Sequence, residues 1–188
     1  MASTLEVVLA AQLQNLQNNT WQVIGETVLG VATASISIPV PSGYTTIKGI
    51  WTAASDLAAT NATLALLQLN GDTGSTSYIW EQGEVNTTTY TAATSGGTTN
   101  AIHIGTMPAA NRLSNYGAHG EFTIGAVGAG GFNKAAKGTV SSHVNNTLVY
   151  HGDYGGQWLN NAAVTSVQFK PGGGNLVAGS YLTLLGLK

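Results

Sequence analysis

Short apolar runs separated by turn residues are the feature that most constrains how this chain can fold. Ile36 and Ile38 alternate with serines, and the run 64–69 stops at Asn70-Gly71. Alternation with a period of two is typical of a half-buried β-strand, and Pro, Gly and Asn mark the turns between strands. In the body of the chain, no segment repeats its apolar residues at helical spacing. The pattern predicts an all-β fold, a β-sandwich or jelly roll, over residues 21–188.

Two apolar runs close the chain. Residues 164–169 and 179–187 flank Pro171 and three glycines, a pattern that predicts paired strands. In the second run, Leu182 and Leu184 fall on one face. The other face is also almost free of charge, so we expect this strand to be buried on both sides or to lie at an interface.

Residues 3–17 differ from the rest of the chain because their apolar residues recur every three or four positions. That spacing predicts a helix with one apolar stripe. The stripe consists of Leu5, Val8, Leu9, Leu13 and Leu16. We therefore expect a short N-terminal helix or arm over residues 1–20. Two roles stay open for it: packing against its own sandwich, or contacting a neighbouring subunit.

Three further segments complete the predicted organisation. Residues 87–99 and 125–131 are rich in Thr and Gly, and we expect both to be long loops. Residues 144–150 have the composition of another strand.

Charged residues are scarce, at 7% of the chain with a formal net charge of −2. An ordinary soluble domain has about 25%, and protein solubility depends largely on charged surface. We therefore expect copies of the chain, or a partner, to cover part of its surface. The six Lys and Arg residues are scattered singly, which argues against a nucleic-acid partner. No apolar run is long enough to cross a membrane and no secretion signal is present, which argues against a membrane partner.

Candidate catalytic and metal-binding residues are few. Glu81 and Glu84 form a carboxylate pair, as glycosidases require, but close pairs also arise by chance. Cysteine is absent, and the histidines lack the spacing of metal ligands. They are His103, His119, His143 and His151. His103 alternates with two isoleucines, which predicts an outward-facing strand residue. We expect no enzymatic activity, no metal and no cofactor.

The stretch that begins Asn70-Gly71-Asp72 has a partial likeness to a calcium-binding loop. It lacks the regularly spaced acids and the closing Glu of an EF-hand. Asn-Gly is also a strong turn signal. We therefore expect a tight turn between strands here, and not an ion site.

Three aromatic residues, Trp80, Tyr154 and Trp158, lie close to predicted loops. Aromatic rings at the surface of a β-sandwich can stack on sugar rings, which makes these residues candidates for glycan contact. The alternative is that they fill the core or an oligomer interface.

Several short motifs occur in an order that resembles a widespread family of tailed-phage virion proteins. The matching pieces are Trp21-Gln22-Val23-Ile24, then Ile36-Ser37-Ile38-Pro39 before Tyr44, then Leu67-Gln68-Leu69-Asn70-Gly71-Asp72, and the closing Gly179-Ser180-Tyr181-Leu182-Thr183-Leu184. The resemblance covers roughly residues 21–187 and is loose over 79–160. It departs at Ala53-Ala54-Ser55, where relatives often carry an Arg.

Members of that family are jelly-roll modules of head decoration proteins, head fibres and receptor-binding tail proteins. The resemblance implies a virion structural protein, assembled in the host bacterial cytoplasm, and favours a capsid decoration (cement) protein. Its expected partners are two further copies in a homotrimer and the major capsid protein, with residues 3–17 as the candidate contact. The alternative is a receptor-binding protein on the tail or head that recognises host surface glycans.

Overall fold

A computed structural model of the chain describes Gln12 and residues 20–188; for residues 95–98 it describes the backbone alone. Twelve strands run through this part. In chain order they are β1 Gln22–Val28, β2 Ile36–Pro39, β3 Thr46–Ala53, β4 Ala62–Leu69, β5 Tyr78–Asn86, β6 Thr89–Thr99, β7 Ile102–Pro108, β8 Ala118–Gly125, β9 Lys134–His143, β10 Val149–Trp158, β11 Ser166–Pro171 and β12 Tyr181–Leu187.

The strands form two antiparallel sheets that pack as a β-sandwich, which confirms the predicted all-β fold. The larger sheet has eight strands in the order β1-β12-β3-β8-β9-β10-β5-β6. The smaller has four, in the order β2-β11-β4-β7. Inward side chains of both sheets meet in one core, where the rings of Trp51 and Phe169 lie 5.0 Å apart.

Alternation along each strand gives the larger sheet an inner and an outer face. In β8, Phe122 and Ile124 are buried, whereas Glu121 and Thr123 point outward and are exposed. Phe122 pairs with Gly49 of β3, and its ring fills the space that a side chain at Gly49 would need. The missing side chain therefore lets a large ring lie flat in the core.

Strands β5, β6, β9 and β10 extend the larger sheet beyond β8. Two predictions fail in this extension. Residues 87–99 are almost entirely the edge strand β6, because their threonines favour a strand that pairs with β5. Residues 144–150 are mostly a turn, in which the Asn145 carboxamide oxygen accepts the backbone N–H groups of Thr147 and Leu148. The Gly-rich loop predicted at 125–131 is confirmed, between β8 and β9.

The prediction that the two closing runs pair with each other is wrong. β11 pairs with β2 and β4 in the smaller sheet, and β12 pairs with β1 and β3 in the larger one. The glycines after Pro171 carry the chain between the sheets, and the fully buried Leu176 anchors the crossing through two backbone hydrogen bonds to Thr33. β12 buries one face, with Leu182 and Leu184, and leaves its other face partly exposed.

The predicted N-terminal helix or arm falls outside the described residues, apart from Gln12. The contact proposed for Leu5, Val8, Leu9, Leu13 and Leu16 therefore stays a prediction. Within the described residues, none of the chain forms a helix of the length and hydropathy needed to cross a membrane.

Candidate functional site

The structure places the three aromatic candidates on the inner face of the extension. Tyr154 and Trp158 are each 2% exposed, and Trp80 is partly buried. This corrects the prediction for Tyr154 and Trp158, since neither ring is open to a sugar. The reason is strand phase: β10 buries alternate residues, and both aromatics belong to the buried set. Stacking stays a prediction for Trp80 alone.

Glu84 also points inward, where it is the centre of a buried polar cluster. Its carboxylate accepts a hydrogen bond of 2.7 Å from the Thr106 hydroxyl and another from the Tyr154 hydroxyl. Burial, together with the hydrogen bond to Glu84, raises the pKa of Tyr154 well above its usual range. Glu81 lies three residues earlier and points to the opposite face, because side chains alternate along a strand. The two glutamates therefore do not share a site.

His103 is 1% exposed, so the prediction that it faces outward is wrong. Opposite it, β4 and β7 shift register: Ala65 pairs with Gly105 and Leu66 with His103, which leaves Ile104 as an extra residue. Such a bulge breaks the alternation of faces, and every residue of β7 is buried.

The His103 ring lies between Trp80 and Tyr154, with ring centroids 5.0 and 4.8 Å away. Its Nε2 lies 2.6 Å from the Gly105 carbonyl oxygen and therefore carries the proton that it donates. Its Nδ1 is buried without a partner. Burial lowers the pKa of His103 to about 4, so the ring is neutral at pH 7.

Lys134, at the start of β9, is fully buried beneath the Gly-rich loop. Its ammonium group donates to the backbone carbonyls of Gly128, Phe132 and Asn161 at 2.7, 3.2 and 3.3 Å. These bonds fasten the loop to the strand that follows it.

The stretch from Asn70 is a tight turn, as predicted. Asn70 and Gly71 both have positive φ, and the Asp72 N–H donates to the Leu69 carbonyl. The Asp72 carboxylate accepts from the Trp158 indole at 2.7 Å, and from the Gly74 N–H and the Ser77 hydroxyl at 2.9 Å each. These bonds, with that of Trp158 first, lower the pKa of Asp72. Among the described residues, no three His, Asp or Glu side chains group closely enough to hold a metal ion.

The outer face of the extension carries a concave surface, which we call the outer groove. Strand register fixes its floor, because Glu81 of β5 pairs with Gly155 of β10 and Gly83 pairs with Asp153. These four positions form a square on the outer face. Glu81 and Asp153 occupy one diagonal, and the two glycines occupy the other. The groove has a volume of about 680 Å³ and is also lined by Tyr90, Thr94 and Lys137, among others.

Asp153 and Lys137 were not recognised from the sequence as site residues. The loop predicted at 87–99 hid the position of β6 beside β5, which forms one side of the groove. The usable signal for β6 is the Thr- and Tyr-rich run 87–91, since β-branched and aromatic residues favour a strand.

The far edge of the larger sheet has a different character. The exposed apolar residues there are Trp21, Val23, Val28 and Val31, which are between 45% and 72% exposed. We call them the β1 edge. A shallow hollow next to it is lined by Ile50, Tyr181 and Leu185, together with Val28.

No protein-family model and no curated protein matches this sequence. The resemblance to phage virion proteins therefore stays a prediction based on the motifs.

Proposed function

We propose that this chain is a phage virion structural protein, a trimeric capsid decoration (cement) protein with a jelly-roll fold. The observation that carries the proposal is the β1 edge, a strand edge lined with apolar side chains at the surface. Cement proteins act by adding buried area between capsid subunits, and a standard interface buries about 1,600 Å². Repetition over the shell multiplies the effect of each contact.

The strand order supports the jelly-roll part of the proposal. If the extension is set aside, β1, β3, β8 and β12 lie in one sheet and β2, β4, β7 and β11 in the other. The chain then changes sheet at every step except from β4 to β7, which are neighbours in the smaller sheet, as in a double-sheet jelly roll of eight strands. The two hairpin-like insertions, β5–β6 and β9–β10, lengthen one sheet without altering that order.

The lack of charge supports self-association. Lys48 and Glu121, 2.7 Å apart on the outer face, form the one salt bridge between side chains of the described residues. Uncharged residues, threonine most often, occupy most other outward positions in the central strands. A surface of this kind is weakly protected against association, so a partner can cover it at little electrostatic cost.

The β1 edge is the surface to which we assign the neighbouring copy. Among the described strands, none pairs with the outer side of β1. An open edge offers backbone donors and acceptors to another chain, and apolar side chains add area to be buried. The segment 3–17 precedes β1 closely in sequence, which makes it the candidate contact with the major capsid protein.

Two measurements test the proposal. Mass photometry of the purified protein should give the mass of a trimer, and Val28→Asp should shift it towards monomer. Val85→Asp is the matched control, because Val85 is also exposed but lies near the opposite edge of the sheet. Cryo-EM of the virion should then show density on the capsid lattice. A monomeric wild-type protein, or density only at the tail, would overturn the proposal.

The alternative, a receptor-binding protein for host glycans, is supported by the outer groove.

A further inference from the structure

We propose that the outer groove is a binding site for a neutral, hydroxyl-rich oligosaccharide. The site goes beyond capsid decoration and does not depend on it, because the groove and the β1 edge lie at opposite ends of the larger sheet.

The floor of the groove is open because two outward positions carry no side chain. The Glu81 side chain leans over one of them, with Cγ and Oε1 each 3.8 Å from the point where a Cβ of Gly155 would lie. Asp153 stands directly opposite the other, Gly83. Both carboxylates are therefore at the wall of a recess, with the backbone as its base.

Tyr90 supplies an aromatic surface over the same recess. Its hydroxyl lies 2.7 Å, and its Cε2 and Cζ 3.5 Å, from the position of a Cβ at Gly83. The ring therefore leans across Gly83, while 67% of the residue stays exposed to solvent. A ring held on one side and open on the other is a platform for the apolar face of a sugar.

The charges in the groove select the class of sugar. Glu81, Asp153 and Lys137 are the charged residues of its lining, which gives two acceptor groups and one donor group. Carboxylates form strong hydrogen bonds to hydroxyl groups, and Lys137 can donate to a ring or hydroxyl oxygen. The net negative charge repels anionic sugars such as sialylated or sulfated ones. Neutral hydroxyl groups satisfy all three side chains.

The dimensions indicate more than one sugar unit. A second hollow of about 740 Å³ adjoins the first and shares Glu81, Thr94, Lys137 and Gly155 with it. It continues along β5 and β10 towards Ile79 and Gln157. Ligand sites in proteins are typically about 300–1,000 Å³, so each hollow is large enough for a small ligand and the pair forms an elongated site.

The first test is a glycan array printed with neutral and with sialylated or sulfated oligosaccharides, probed with the wild-type protein. We expect binding to one or more neutral glycans and none to the anionic ones. The best neutral glycan is then titrated by isothermal calorimetry against Tyr90→Ala and Asp153→Asn. Each variant should weaken binding at least tenfold. Tyr181→Ala, on the same outer face near the β1 edge, is the matched control and should bind as the wild type does.

The outcomes separate this proposal from the previous one. Circular dichroism and mass photometry of Tyr90→Ala and Asp153→Asn should show unchanged fold and oligomeric state, since the groove residues lie far from the β1 edge. Binding to anionic glycans alone, no binding to any neutral glycan, or unchanged affinity in both Tyr90→Ala and Asp153→Asn would overturn the saccharide site. None of these results bears on capsid decoration.

Discussion

The indole Nε1 of Trp158 donates a hydrogen bond of 2.7 Å to Oδ2 of Asp72, and this contact ties the end of β10 to the turn that follows β4. The two strands belong to different sheets. Asp72 lies in the stretch that resembled a calcium-binding loop, and Trp158 was a candidate for sugar stacking. Each instead satisfies a hydrogen-bonding group of the other. Both have structural roles that depend on a partner more than 80 positions away in the chain.

We expect Asp72→Ala to destabilise the protein by about 1–3 kcal/mol, because the buried Trp158 indole, the Gly74 N–H and the Ser77 hydroxyl lose their acceptor. Chemical denaturation followed by tryptophan fluorescence measures the change. Asp153→Ala removes an exposed carboxylate with no such partners and should change stability by less than about 0.5 kcal/mol. Equal losses in the two variants would contradict the structural role of Asp72.

We expect Gly49→Ala to destabilise the protein by about 1–3 kcal/mol or more, because the new methyl group would overlap the Phe122 ring. Gly125→Ala is the matched control, since a Cβ there meets no atom within 4 Å. Thermal unfolding of both variants compares the two sites. Combining Gly49→Ala with Phe122→Leu should recover part of the loss if the overlap is its cause.

His103 should make stability depend on pH between about 6.5 and 4. The pKa is lowered to about 4 in the folded state, so below pH 6.5 the unfolded chain binds the proton more readily. The stability contributed by the neutral ring is therefore complete above pH 6.5 and falls by ~3 kcal/mol as the pH decreases to 4. Free energies of unfolding across this range should show the fall in the wild type and in the exposed control His151→Gln. They should not show it in His103→Gln.

Lys134→Met should loosen the Gly-rich loop. The three carbonyls that accept from Lys134 would lose a charged donor, at a cost of about 1–3 kcal/mol. Hydrogen exchange should increase at residues 128–133. If the variant only lowered global stability, the increase would instead spread over the sheet. Lys137→Met, on the exposed face of the same strand, should leave exchange in the loop unchanged.

The eight strands outside the extension, β1–β4, β7, β8, β11 and β12, could be predicted in part from sequence. Their apolar residues alternate, and turns separate them. Ile36 and Ile38, or Leu182 and Leu184, are sufficient evidence for a strand with one buried face. The pairing of strands was not predictable. β11 and β12 have the same local pattern, and only contacts between distant segments place them in different sheets.

The extension escaped prediction for a different reason. β9 and β10 are rich in Ala, Gly and Ser, which have no strong preference for strands, and their phase depends on neighbours that are distant in sequence. The groove follows from that phase, because a shift of one residue would bury Asp153 and expose Tyr154. A bulge at Ile104 reversed the expected direction of His103 in the same way.

The width of the larger sheet has a consequence for how one molecule can be used. Eight strands at a spacing of about 4.8 Å separate β1 from β6 by roughly 33 Å, more than the reach of any side chain. A neighbouring copy bound at the β1 edge therefore leaves the outer groove free. A ligand can enter or leave the groove without displacing that copy. We therefore expect that attachment through the β1 edge and saccharide binding in the outer groove can be changed independently of each other.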